Sequence, residues 1–199
     1  MSVREVVVVD SGVANLGSVM AALARLDAPA RLSTDPAVLR AAQRVILPGV
    51  GAAAPAMARL RERGLDAVIP TLTCPVLGIC LGMQLLFEHT DEAGVDCLGV
   101  VPGRLRRFEE ARCGRVPHMG WNRLEVLRDD PLVRGFGAQA YAYFVHSYHA
   151  EVGPHTLATC DYGGPFAAVV QHRNFFGAQF HPERSAAVGT TLIRNFLGP

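Results

Sequence analysis

The sequence predicts an α/β protein with a central, mostly parallel sheet and additional antiparallel strands in its second half. Three observations carry this. Short β-branched runs alternate with helix-like segments through the first half, a glycine-flanked strand-to-helix turn follows at residues 78–82, and beyond Gly94 short strand-like runs are separated by Gly, Pro and Asp.

In order, Val6–Val9 reads as a strand, residues 15–26 as a helix, 30–32 as a strand, 36–43 as a helix and 44–47 as a strand. Asp35 followed by Pro36 supplies an N-cap and a first-turn proline, and Gly64 closes a helix expected at 54–63. Val76-Leu77 reads as a buried strand, and 83–87 as an apolar helix after the turn. Strands are then expected at 105–108, 122–127, 141–146, 156–162, 166–171 and 175–180, with a closing helix at 187–196. No internal repeat or low-complexity linker interrupts the 199 residues, so one domain over residues 1–199 is expected. Residues 67–87 carry no charge and are long enough to span a bilayer, but Pro70, Pro75, Gly78 and Gly82 would break such a helix, so no membrane segment is expected.

Lys plus Arg (19) balance Asp plus Glu (18) without blocks of like charge, which gives no attraction to nucleic acid or anionic lipid. The five cysteines, Cys74, Cys80, Cys97, Cys113 and Cys160, are odd in number and contain no CxxC pair, which fits a reducing cytoplasm and no zinc site. The chain enters its first strand without a secretory leader pattern, again pointing to the cytoplasm.

Gly78-Ile79-Cys80-Leu81-Gly82 is G-x-C-x-G between a strand and a helix, the thiol form of a nucleophile elbow. The helix N-terminus favours a thiolate, and the Leu81 amide is positioned to meet a developing oxyanion. The alternative is a buried structural cysteine, which is the reading for the other four. A base is offered by His181-Pro182-Glu183: in an extended chain, residues two apart share a side, so Glu183 would orient His181 to take the Cys80 proton. A structural histidine or a metal-binding His-x-Glu pair are the alternatives. His89, His149, His155 and His172 read as surface or satisfied residues. Pro48-Gly49-Val50-Gly51 follows a strand and offers a second oxyanion amide from Val50 or Gly51.

Taken in this order, the elbow, the terminal His-Pro-Glu and the Pro-Gly-Val-Gly loop resemble the class I glutamine amidotransferases. The loop, GICLGMQLLFE from Gly78, VPHMGWN from Val116, YFVHSY from Tyr143 and FHPERS from Phe180 look like the glutaminase subunits of imidazole glycerol phosphate synthases. The resemblance implies a flavodoxin-like three-layer fold, a Cys80, His181 and Glu183 triad, and an oxyanion hole from Val50, Gly51 and Leu81. It further implies that Gln84, Ser147, Tyr148 and Glu92 bind glutamine, that no cofactor or metal is used, and that glutamine is cleaved through a thioester. Ammonia would pass to a cyclase subunit with a (β/α)8 barrel, which forms imidazole glycerol phosphate and AICAR from PRFAR in histidine biosynthesis. Asn15, His118, Met119, Trp121, Tyr143 and Arg184 correspond to the partner interface or tunnel. For Glu92, an exposed loop acid is the competing reading.

Two departures from the family pattern lie near that interface: Asp10-Ser11-Gly12-Val13-Ala14-Asn15-Leu16 where many members have Asp-Tyr-Gly-x-Gly-Asn-Leu, and Arg184 in place of lysine. A thiol hydrolase acting alone and a non-catalytic module of the same fold are the competing functions.

Overall fold

The computed structural model describes residues 5–10 and 15–198. In chain order the strands are β1 (Val6–Val9), β2 (Ala30–Ser33), β3 (Arg44–Gly49), β4 (Val76–Cys80), β5 (Phe87–Thr90), β6 (Val95–Asp96), β7 (Val101–Arg107), β8 (His118–Val126), β9 (Tyr141–His146), β10 (Tyr148–Ala150), β11 (Thr156–Asp161), β12 (Pro165–His172) and β13 (Phe175–Ala178). The helices are α1 (Leu16–Ala24), α2 (Pro36–Ala41), α3 (Ala53–Glu62), α4 (Leu65–Val68), α5 (Leu81–Gln84), α6 (Glu110–Cys113) and α7 (Ala186–Leu197), with 3-10 turns at Ile69–Thr71, Pro131–Val133 and Pro182–Arg184.

Among the described residues the main sheet has the order β2-β1-β3-β4-β13-β12-β11-β8-β9. It is parallel from β2 to β13 and antiparallel beyond. A smaller sheet runs β10-β7-β5-β6. Strands covered on both faces need to be apolar throughout, and β1, β3 and β4 are buried at every position. Their alternating side chains divide between two cores. Val6, Val8, Ile46 and Leu77 pack with Val19 and Leu23 of α1 and Leu192 and Phe196 of α7. Val7, Val9, Val45 and Leu47 pack with Met57 and Leu60 of α3 and with Leu65 and Val68 of α4. Helix, sheet and helix therefore form three layers.

The caps form where the sequence places them. Asp35 accepts from the Ala37 amide at 2.8 Å, and Gly64 adopts φ 65° beyond α3. The expected helix at 83–87 is different: α5 ends at Gln84, and Phe87 begins β5. The cause is pairing with a distant segment, since the Leu85 and Leu86 carbonyls accept from the Leu98, Val100 and Val101 amides at 2.8–2.9 Å. The charge-free stretch at 67–87 thus folds as short separate elements, and no helix among the described residues is long and apolar enough to cross a membrane.

Two glycines make the elbow possible by close approach. A Cβ on Gly82 would stand 1.7 Å from the Leu47 carbonyl oxygen of β3, and one on Gly78 would stand 2.6 Å from the Gly82 carbonyl oxygen. Both clashes are with backbone, which cannot swing aside. Gly82→Ala is expected to destabilise the protein by about 3 kcal/mol or more and to lower Tm by roughly 6–10 °C; calorimetry of the variant checks this, and an unchanged Tm would contradict the packing.

Candidate active site

β3, β4 and β13 end at one edge of the sheet, and each is followed by one part of the site: Val50-Gly51, Cys80-Leu81 and His181-Pro182-Glu183. Ligand sites of open α/β sheets gather beyond the carboxyl ends of such strands. Cys80 has φ 53° and ψ −112°, a conformation a residue with a side chain rarely holds. That strain turns its Sγ out of the strand, 3.9 Å from the Val145 carbonyl oxygen and on the same cavity wall as the His181 imidazole.

His181 Nδ1 lies 2.9 Å from Glu183 Oε1, and the Glu183 side chain is only 3% exposed. Extended chain is not what brings them together, because Pro182–Arg184 is a 3-10 turn that curls the carboxylate back onto the ring. The loop is pinned to β9: the His181 amide donates to the Tyr143 carbonyl at 3.0 Å, while Ser185 Oγ accepts from the Tyr143 amide at 2.9 Å and donates to the His181 carbonyl at 2.7 Å. Burial alone would pull the His181 pKa down, but hydrogen bonds to Cys80 and Glu183, together with their negative charge, raise it to about 10. These partners favour the protonated ring, which lies between a sulfur and a carboxylate. With Nδ1 facing Glu183 and the other nitrogen left for Cys80, the pair is arranged as a relay, not as two ligands converging on one ion.

Cys80 and His181 open on a cavity of about 280 Å³ whose walls include Val50, Gly51, Leu81, Gln84, Glu92, Ser147 and Tyr148, every residue assigned from sequence to oxyanion or substrate binding. Gln84 is buried and donates both Nε2 hydrogens, to the Tyr148 carbonyl at 2.9 Å and to Gln179 Oε1 at 3.0 Å. Glu92 is half-buried and not an exposed loop acid. Its Oε2 accepts from the Ala53 amide at 2.7 Å, capping α3, whose own N-cap residue Ala52 has no polar side chain to do so. The loop carrying Val50 and Gly51 is thereby tied to the turn after β5.

The other thiols are set differently. Burial pushes Cys97 up to about 11, and Cys160, whose main cause is again burial with Asp161 adding to it, up to about 12. None of the five is disulfide-bonded.

The family model of class-I glutamine amidotransferases matches residues 7–198. The chain is 56% identical over 193 residues to the imidazole glycerol phosphate synthase subunit HisH of Xanthomonas axonopodis pv. citri, covering 97% of this chain and 96% of that protein. HisH of Xylella fastidiosa is 55% identical with the same coverage. The chain belongs to the class-I glutamine amidotransferases. Within them it falls with the HisH subunits. Solved structures share the fold at lower identity: a glutamine amidotransferase at 22% identity with TM-score 0.75, covering 96% of each chain, and PurLQS of Thermotoga maritima at 19% with TM-score 0.71, covering 98% of this chain and 97% of that one.

The residues expected at a partner interface separate. Met119 and Trp121 are 63% and 54% exposed on β8, Trp121 lies edge-on to Tyr143 across the β8–β9 pair, and Arg184 stands 5.9 Å over the Tyr143 ring. Asn15 is exposed and caps α1, accepting from the Ser18 amide. His118 is 3% exposed, on the inward side of β8, stacked on Phe144 and Tyr162 and apart from that exposed surface. Ser11 and Ala14 lie outside the described residues. Among the histidines read as surface or satisfied, His89 pairs with Asp96 and His155 with His172, whereas His149 stacks on Phe108 with ring centroids 4.2 Å apart.

Sequence reasoning missed three residues around the site, His146, Gln179 and Ser185. His146 lines the cavity, and the others hold Gln84 and His181. For His146 a signal existed, because the alternation of Ala142, Phe144 and His146 marks an inward-facing histidine.

The raised His181 pKa links folding to pH. Its folded value, about 10, exceeds the unfolded value of about 6.5, so its contribution to stability is full below about pH 6.5 and is lost as pH rises through about 10. The stability difference between wild type and His181→Gln, measured by urea unfolding, is expected to shrink between about pH 6 and about pH 10.5; a difference independent of pH would contradict the assigned contacts.

Proposed function

We propose that this chain is the glutaminase subunit of an imidazole glycerol phosphate synthase, with Cys80, His181 and Glu183 as its triad. The observation that carries the reading is the His181 ring held 2.9 Å from a buried Glu183 on the wall of a cavity that it shares with Cys80 and the elbow residue Leu81. Cys80 sulfur adds to the side-chain carbonyl carbon of glutamine, and the oxyanion is met by the Leu81 amide and by an amide of the Val50-Gly51 loop. His181 gives its proton to the departing nitrogen, releasing ammonia and leaving a γ-glutamyl thioester. The neutral imidazole then takes a proton from water, whose oxygen displaces the Cys80 sulfur from the thioester, giving glutamate and restoring the thiolate and the imidazolium. Glu183 keeps Nδ1 protonated and aimed throughout. Gln84, Ser147, Tyr148 and Glu92 hold the substrate.

Ammonia released into neutral water would largely become ammonium, which is not nucleophilic, so the product must be passed directly to a partner. The partner in this reading is a (β/α)8-barrel cyclase that docks on the β8–β9 face through Met119, Trp121, Tyr143 and Arg184, with Asn15 at its rim. An exposed tryptophan and methionine beside an arginine over a tyrosine ring are the residue types that anchor interfaces. The reading places the protein in the cytoplasm, as one domain over residues 1–199.

Chain and cyclase together are expected to release glutamate from glutamine, at a rate raised by the cyclase ribonucleotide. Cys80→Ala should abolish this, and Glu183→Gln should cut kcat by roughly 10²- to 10⁴-fold. Glutamate release by Cys80→Ala at the wild-type rate would sink the assignment, and high activity of the chain alone would favour a free-standing hydrolase.

Trp121→Ala should weaken the complex by about 2 kcal/mol, roughly thirtyfold in Kd, with the fold intact. Titration calorimetry with the cyclase checks this, and an unchanged Kd would remove β8 from the interface.

A further inference from the structure

Behind the glutamine cavity lies a chain of hydrogen bonds that the triad does not use. His118 and His146 are directly opposed across the β8–β9 pair, and both are buried. His146 Nδ1 is 2.8 Å from the Tyr148 carbonyl oxygen, which can only accept, so that nitrogen carries a hydrogen. His146 Nε2 is 3.2 Å from His118 Nδ1, and His118 Nε2 is 3.3 Å from Asn122 Nδ2. Asn122 Nδ2 also donates to the Asp161 carbonyl at 2.8 Å. If both rings are neutral, these contacts permit one arrangement only: Asn122 donates to His118 Nε2, His118 Nδ1–H donates to His146 Nε2, and His146 Nδ1–H donates to Tyr148. Neutrality follows from burial, which lowers His118 to about 4 and, with its histidine neighbours adding to the effect, His146 to about 3.

The same Tyr148 carbonyl accepts from Gln84 Nε2, whose second hydrogen goes to Gln179 Oε1. Both amide hydrogens of Gln84 are thus committed, and its Oε1 is the polar atom left to the cavity it lines. We infer that His118 and His146 are positioning residues for glutamine binding: acting through the Tyr148 carbonyl, they fix the Gln84 amide with its oxygen toward the substrate. An amide turned the other way would present N–H groups to the N–H groups of glutamine and leave the Tyr148 carbonyl facing an oxygen. Deleting the His146 donor therefore weakens ground-state binding, and the reacting atoms at Cys80 are untouched.

This rests on the glutaminase reading, and the test separates the two. In the complex with the cyclase, His146→Phe keeps the aromatic packing and removes the donor, and is expected to raise KM for glutamine about tenfold with kcat within about twofold of wild type. His146→Asn returns an N–H near the position of Nδ1 and should bring KM back to within about threefold. In wild-type protein with ¹⁵N-labelled histidine, both rings should appear as neutral Nδ1–H tautomers, a measurement that needs neither turnover nor a folded variant. Equal KM for the Phe and Asn variants, a fall in kcat at unchanged KM, or an Nε2–H tautomer in either ring would overturn the inference. Absence of wild-type glutaminase activity would overturn the functional reading and leave the tautomers to decide the hydrogen-bond chain.

Discussion

The backbone of α5 rests directly on the backbone of β3, and the nucleophile and its facing loop take their places from that contact. With no side chain at Gly82, the turn after β4 drops against the Leu47 carbonyl, so Cys80 and Leu81 come level with the loop that continues β3. The same descent forces Cys80 into positive φ, a strain of about 1–3 kcal/mol. That strain persists because β3 and β4 are buried along their whole length, and moving either strand would disturb both cores at once. The nucleophile is therefore displayed by packing several residues away from it.

Three histidines near the site show how one residue type is pushed in opposite directions within one small region. Burial acts against the charged form of His118, His146 and His181 alike. Only His181 has anionic or ionisable partners on both sides, and there the pairing outweighs desolvation. His118 and His146 have each other, an amide and a carbonyl, which compensate no charge, and desolvation prevails. An acid–base group that favours its proton and a hydrogen-bonding pair that resists one thus lie close together without exchanging roles.

The sequence made the parallel half legible because its signals are local: apolar runs for strands buried on both faces, Asp35-Pro36 and Gly64 for helix ends, and paired glycines for the elbow. It also gathered the residues that line the cavity. What it hid depends on distant pairing. Residues 83–87 look helical on their own, and only capture of the Leu85 and Leu86 carbonyls by residues 98–101 turns Phe87 into a strand. The Glu183 carboxylate reaches His181 through a turn, not through strand alternation, although the pairing itself was legible. The motif around His118 does not by itself separate its two faces; period-two alternation along β8 sends Met119 and Trp121 outward and His118 inward. Ser185 and Gln179 gave no signal, since their roles exist only against Tyr143 and Gln84.

The Ser185 and His181 contacts to Tyr143 have a consequence beyond orienting the imidazole. β9 is the last strand of the main sheet, and a terminal strand offers its outer amides and carbonyls to any extended chain that meets it. At Tyr143 both groups are already occupied, the amide by a serine hydroxyl and the carbonyl by the His181 amide. The segment that carries the catalytic base thus also stoppers the open margin of the sheet, so a lesion that loosens the base would expose an adhesive edge as well as silence the enzyme.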